Sequence, residues 1–191
     1  AATIVESGGS GSVGGSHVYA NGGIYTISIT LTDDDGGVTT ASARAVISGA
    51  GVLNGTLYVI GTDQADQVTI NMQGNGLYKV HANFFPTVAF KTFSVIGVND
   101  ILIVLCDGDD QATISGQISI PAVIDGGEGN DQLNGGGGSN VILGGLGNDR
   151  LNGGSARDIL IGGAGEDRLV GNSGDDRLIS GTSDYDDDYA A

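Results

Sequence analysis

The chain has 191 residues and 19.1 kDa, with 36 glycines, two prolines, no tryptophan and 23 acids against seven lysines and arginines, a formal charge of −16. That acid excess repels phosphate, so it excludes nucleic acid and anionic membrane surfaces as partners and directs attention to metal cations. Hydrophobic residues reach 39% but aromatics only 5%, which predicts a thin, regular core rather than a globule, and no apolar run is long enough for a membrane span. The single Cys106 excludes an internal disulfide, which a metal-stapled extracellular chain does not need. The start Ala1-Ala2-Thr3, without initiator Met or signal-peptide pattern, reads as a segment of a longer protein whose targeting signal lies elsewhere.

Residues 1–50 read as part of a β-sandwich. Gly23 to Thr32 alternates with period two, Asp33 to Gly37 turns, and Val38 to Ile47 alternates again, the pattern of a β-hairpin. With His17-Val18-Tyr19 upstream, the segment resembles the C-terminal half of a PKD-type (polycystic-kidney-disease) immunoglobulin-like domain. Asp33 to Asp35 lacks the Glu at the twelfth place that an EF-hand loop requires and reads as a solvated turn.

Residues 51–125 read as a solenoid with wide rungs. The runs Gln67 to Met72, Leu77 to Ala82, Thr92 to Ile96, Ile101 to Leu105, Gln117 to Ile120 and Ala122 to Ile124 mix β-branched and apolar residues as strands do. Gly61 to Val68 and Asp107 to Ala112 each echo a turn, with Asp66 and Asp110 at corresponding places; Asp110 and Asp131 are expected to share a cation. Phe84, Phe85, Phe90 and Phe93 are expected to cap or fill the rungs, and Cys106 to be a buried small residue.

From Gly126 the sequence falls into six nine-residue registers: GGEGNDQLN, GGGGSNVIL, GGLGNDRLN, GGSARDILI, GGAGEDRLV and GNSGDDRLI. Gly stands first in all; it stands second except at Asn172 and fourth except at Ala156. Position six is Asp131, Asn140, Asp149, Asp158, Asp167 and Asp176; position eight is always Leu or Ile. Glycine admits positive φ and close backbone approach, so GGxGx predicts a tight turn, and the next three residues a short strand with one apolar side chain inward. Two registers make one coil, and stacked coils make a parallel β-solenoid. Registers two apart then lie about 4.8 Å apart, which stacks Asp131, Asp149 and Asp167 on one edge and Asn140, Asp158 and Asp176 on the other. Such columns of like charge require a cation, and Ca2+, with six to eight oxygen ligands in flexible geometry, suits carboxylates and turn carbonyls better than magnesium.

The nonapeptide GGxGxDxUx, U being a large aliphatic residue, resembles the RTX calcium-binding repeats of secreted bacterial proteins. The resemblance implies an all-β parallel β-roll, calcium held between successive turns, folding triggered by extracellular calcium, and a secreted or cell-surface setting. Carried onto this chain, it implies ligands from Asp110, Asp131, Asn140, Asp149, Asp158, Asp167 and Asp176. Turn glycines Gly126, Gly127, Gly129, Gly144, Gly145, Gly147, Gly153, Gly162, Gly163, Gly165 and Gly171 join them, for about three to five ions. The pairs are Asp131 with Asp149, Asp149 with Asp167, and Asp158 with Asp176, while Asn140 with Asp158 is weaker because Asn140 adds no charge. A seventh register, SGTSDYDDD, departs from the motif with Tyr185 in the acid's place, and Asp184 or Asp186 as stand-ins. The organisation is a partial PKD-like segment at 1–50, a wide-rung solenoid at 51–125, the nonapeptide roll at 126–182 and an acidic tail at 183–191.

No HExxH or GxSxG motif is present, and the only histidines are His17 and His81, so no catalytic residues are assigned. The alternation turns Val141, Leu143, Ile159, Ile161 and Ile179 outward on one sheet, a greasy face to be covered by a neighbouring domain, a second copy or the tail. On the other sheet Arg150 and Arg168 form a ladder flanked by Asn134 and Asn152, read first as charge relief for Asp149 and Asp167 and second as a grip for an acidic polysaccharide. The functional classes are therefore a calcium-dependent structural module, an adhesion or carbohydrate-binding module, or the C-terminal tail of a secreted hydrolase.

Overall fold

The computed structural model describes residues 2–7, 10–15, 22–32 and 37–181, and these contain strands and turns with no helix. Two hairpins come first. Strands β1 (Ala2–Ser7) and β2 (Ser10–Gly15) pair antiparallel, as do β3 (Gly23–Thr32) and β4 (Val38–Ile47), whose bounds coincide with the predicted alternating runs. His17 to Tyr19 and Asp33 to Asp35 lie outside the described residues, as does the seventh register beyond residue 181.

The remaining strands build two sheets facing each other. They are β5 (Gly49–Leu53), β6 (Thr56–Ile60), β7 (Gln67–Gln73), β8 (Leu77–Ala82), β9 (Phe90–Ser94), β10 (Asp100–Val104) and β11 (Gln111–Ile114). Then follow β12 (Ala122–Glu128), β13 (Gln132–Asn134), β14 (Asn140–Leu146), β15 (Arg150–Gly154), β16 (Ile159–Ala164), β17 (Arg168–Asn172) and β18 (Arg177–Ile179). One sheet runs β18-β16-β14-β12-β10-β6-β5 and the other β17-β15-β13-β11-β7-β8-β9. The chain alternates between them, and successive strands of one sheet pair parallel: a β-solenoid.

The register follows the sequence repeat. Val123 pairs with Val141, Val141 with Ile159 and Ile159 with Arg177, while Gln132 pairs with Arg150 and Arg150 with Arg168. Upstream, Gln111 pairs with Gln132 and Gln67 with Gln111. The extra length of that first coil is absorbed by β8 and β9, which add antiparallel to the free edge of β7, and β5 closes the other sheet antiparallel to β6. Gln117 to Ile120, expected as a strand, is instead a corner. Ile118 N–H donates to the Ser115 carbonyl, which turns the chain and drops Ile118 into the core. The strand expected at Thr92 to Ile96 runs instead from Phe90 to Ser94, paired with β8 from His81 to Leu77, and Val95 N–H donates to the Gly76 carbonyl as the chain leaves the sheet.

Position-eight side chains form the core. Leu133, Ile142, Leu151 and Leu160 are buried between the sheets, continuous with Val68, Ala112 and Ile124 upstream. Of the phenylalanines, Phe85 is buried and Phe84 and Phe93 pack against the core, but Phe90 lies outside it. Cys106 is half-buried rather than buried, and sits in a turn at φ 78°. Of the greasy face, only Ile159 and Ile179 are exposed, at 37% and 40%; Leu143 and Ile161 are buried. They stand in one register column with Ile60, Val104 and Asp125, where stacked neighbours cover each other's flanks, and Ile179 ends that column.

Eight of the repeat glycines, at positions two and four of the nonapeptide, stand at positive φ. Position two includes Gly145 at 107° and Gly163 at 97°, and an added Cβ there would collide with the carbonyl of the coil before. The register lacking this glycine has Asn172 at φ 70°, and Asn is the residue that best tolerates that region. Gly145→Ala should therefore destabilise the calcium-loaded roll by at least about 1–3 kcal/mol, whereas Asn172→Gly should leave it close to unchanged. Thermal unfolding of both variants checks this; equal effects would count against the register.

Candidate metal centre

Each turn delivers its position-six carboxylate to a dry edge between the two sheets. Asp110, Asp131 and Asp149 are each 1% exposed, Asp158 0% and Asn140 2%. The first oxygen of each carboxylate is served by the coil before. Asp66 N–H donates to Asp110 Oδ1 at 2.7 Å, Asp110 N–H to Asp131 Oδ1 at 2.8 Å, and Asp131 N–H to Asp149 Oδ1 at 2.8 Å. Asp149 N–H donates to Asp167 Oδ1 at 3.0 Å. On the opposite edge Asn140 N–H donates to Asp158 Oδ1 and Asp158 N–H to Asp176 Oδ1. The pairs expected from spacing are thus joined backbone to carboxylate.

The second oxygen is left without a donor. Oδ2 of Asp110, Asp131, Asp149, Asp158 and Asp167 is buried with no hydrogen-bond partner. An anionic oxygen in that state costs several kcal/mol unless a cation or proton joins it. Backbone carbonyls border the same space: a Cβ on Gly126 would run into both Asp131 Oδ2 and the Gly144 carbonyl, and one on Gly144 into Asp149 Oδ2 and the Gly162 carbonyl. Position one is therefore glycine for want of room rather than for φ. Gly153, Gly162 and Gly171 stand likewise against Oδ2 of Asp158, Asp167 and Asp176. Gly127, Gly129, Gly145 and Gly147 instead turn their carbonyls to the Cα of the next coil's Gly145, Gly147, Gly163 and Gly165.

Two places in these columns are closed by the protein itself. Asp66 Oδ2 accepts Thr62 N–H at 2.7 Å and the Thr62 hydroxyl at 3.2 Å. At Asn140 the side-chain Nδ2 occupies the corresponding space, while its Oδ1 is buried without a donor. Its Nδ2 donates to the carbonyls of Gly138 at 2.7 Å and Gly153 at 3.0 Å and to Asp158 Oδ1 at 2.9 Å. Thr62 at the second place of its turn was the signal for the first closure, and sequence reasoning passed over it. A further ladder runs the opposite way at position five, on the exposed rim. Asn130 N–H donates to Asp109 Oδ1, Asn148 N–H to Asn130 Oδ1 and Glu166 N–H to Asn148 Oδ1.

Among the described residues no three Asp, Glu, His or Cys side chains converge on one point. The donor set is instead one carboxylate per turn with backbone carbonyls, oxygen-only and flexible, which fits calcium and not a nitrogen- or sulfur-seeking metal. Cys106 adds nothing, because burial and the acids Asp63, Asp107, Asp125 and Asp110 push its thiol up to about 11.

Burial, and secondarily the neighbouring carboxylates, push Asp110 and Asp131 up to about 7 and Asp149 to about 6. A metal-free roll therefore retains protons that the unfolded chain, with carboxyls near 3.8, has already lost. Its stability should be fullest below about pH 4 and fall as the pH rises towards 7, the reverse of a salt-bridged protein. Circular dichroism of chelated protein at pH 4 and pH 7.5 measures this, and a gain with rising pH would contradict it. Asn140→Asp should add one calcium to the stoichiometry found by calorimetric titration, by replacing a closed space with an open carboxylate. An unchanged stoichiometry would show that the amide does not stand where an ion would.

Comparison with curated proteins and with solved structures gives no match. A family model for the RTX calcium-binding nonapeptide repeat matches at residues 123–151 and 152–184, and it does not extend to the preceding hairpins or to Asp66 and Asp110. The match covers four of the five orphaned carboxylates, Asp131, Asp149, Asp158 and Asp167, and the roll has the parallel topology the repeat implies. Residues 123–184 belong to the RTX calcium-binding nonapeptide repeats.

Proposed function

We propose that the chain is a calcium-dependent structural module of a larger extracellular protein, folding where calcium is abundant and holding neighbouring segments in place. The observation that carries this reading is the set of five buried Oδ2 atoms without a donor, four of them beside a turn glycine. A protein that made these contacts for stability alone would have filled them, as Thr62 and Asn140 do. Calcium held by Asp110, Asp131, Asp149, Asp158 and Asp167, with carbonyls such as those of Gly144 and Gly162, neutralises the columns and links coil to coil. Asp176, at the exposed end, closes the last site less completely. Asp110 lies outside the matched repeats, so the bound region extends one coil upstream of them.

Without the cation, five unserved carboxylate oxygens and the chain entropy of 36 glycines oppose folding. Calcium titrated into chelated protein at neutral pH should produce a cooperative rise in β signal by far-UV circular dichroism, and magnesium should not. Asp131→Ala should lower the number of ions bound and move the midpoint at least about tenfold. A β spectrum indifferent to chelator would overturn the proposal.

A further inference from the structure

We propose that Asn75 is a site of spontaneous covalent modification, its side-chain amide being lost through a cyclic imide to leave aspartate and isoaspartate. The sequence holds five Asn-Gly steps, at Asn21, Asn54, Asn75, Asn134 and Asn152. Glycine has no Cβ to shield its nitrogen, so at each step that nitrogen can reach the carboxamide before it. As dipeptides the five are equivalent. Asn21 lies outside the described residues, and the fold separates the other four.

Two of them are locked in the roll. Asn134 ends β13, and its Nδ2 donates to Thr113 Oγ1 at 3.3 Å. The nitrogen that would attack it, on Gly135, donates to the Asn152 carbonyl at 2.8 Å, and Gly135 lies against the Gly153 carbonyl. Asn152 and Gly153 both lie inside β15, and Asn152 Oδ1 accepts from Asn172 Nδ2. Asn54 is exposed, but it is half of a two-residue turn between β5 and β6, in which Leu53 pairs with Thr56. It is held there at φ 51°, with the Asn99 side chain packed over Gly55. Swinging its side chain over the next nitrogen would undo the first rung of that hairpin.

Asn75 has none of these restraints. It is exposed in the turn of residues 74–76 between β7 and β8, its φ is not left-handed, and its side chain bonds to no other described residue. A Cβ added to Gly74 would meet nothing within 4 Å, and one added to Gly76 only Val95 Cγ2 at 3.8 Å. The Gly76 nitrogen is tied by nothing but the bond across its own turn, to the Gln73 carbonyl at 3.1 Å, and exposed turn tips are where local opening costs least.

The chemistry needs only water. The Gly76 nitrogen attacks Asn75 Cγ and closes a five-membered imide; the Cγ–Nδ2 bond breaks, and ammonia leaves with the proton from the Gly76 nitrogen. Water opens the ring at Cγ to give aspartate, or at the main-chain carbonyl to give isoaspartate, whose chain runs through the side-chain carbon. One water enters and one ammonia leaves. Either product adds a carboxylate to the turn. Isoaspartate also lengthens the loop by one carbon, and loop length sets the turn that pairs Gln73 with Leu77.

The test ages the full calcium-loaded chain at neutral pH in water enriched in heavy oxygen and follows each Asn-Gly peptide by mass spectrometry. An isoaspartyl methyltransferase serves as the probe for the rearranged product. Asn75 should gain the mass of an amide turned to an acid, with heavy oxygen incorporated, at least about tenfold faster than Asn54, Asn134 or Asn152. In chelator and urea, with the β spectrum lost, the four steps should convert at comparable rates, because the fold alone ranks them. Asn75→Gln should remove the early methyl acceptor and leave the calcium-induced β spectrum unchanged. An unaltered Asn75, another of the four converting as fast in the folded chain, or the same ranking in urea would overturn the proposal.

Discussion

A buried carboxylate that is only half satisfied governs this molecule. At Asp110 and at each position-six aspartate after it, the backbone N–H of the coil before reaches Oδ1, which ties successive coils together. The same geometry strands Oδ2 in a dry edge beside glycine. Neither the hydrophobic core nor the strand ladder relieves that oxygen. The core is one Leu or Ile per register between the sheets, and its contribution has to overcome the conformational entropy of a glycine-rich chain. A counter-charge in the turns therefore decides whether the stacked state exists at all.

Glycine serves two separate purposes in these turns. At position two it supplies a positive φ, and Asn172 shows that a residue tolerant of that conformation can replace it. At position one of the nonapeptide registers it leaves space next to Oδ2 and the facing carbonyl, where an added Cβ would collide. Cys106, at φ 78°, occupies the second place of an upstream turn, and its carbonyl faces Gly127 as the carbonyl of Gly127 faces Gly145. The turn geometry thus continues upstream of the recognisable repeat, as far as Asp66, where Thr62 ends the column with protein donors.

The two outer faces differ because odd and even registers alternate between sheets, so any bias at positions seven and nine becomes a bias of one face. Even registers give aliphatic columns: the one through Leu143 and Ile161 is buried and ends at the exposed Ile179, while Ile159 in the neighbouring column is exposed. Odd registers give amides and arginines. Charge is thus sorted by position in the coil: acids in the turns, apolar side chains on one sheet, uncharged polar and basic groups on the other.

The nonapeptide phase by itself determined the parallel roll, its 18-residue coil, the inward Leu and Ile, and which acids share an edge, because a strict repeat leaves each residue type one place in the stack. The hairpin of β3 and β4 was equally legible, since period two over ten residues admits no other element. What only the tertiary structure decided was set by neighbours distant in sequence. It showed β8 and β9 turning back antiparallel to β7, Gln117 to Ile120 forming a corner, and Leu143 and Ile161 buried by their stacked neighbours. It separated Asp66 and Asn140, whose spaces the protein closes with its own donors, from the five aspartates whose Oδ2 has none. Whether a carboxylate is satisfied depends on the donors that meet it in space, and sequence spacing names the carboxylate without naming those donors.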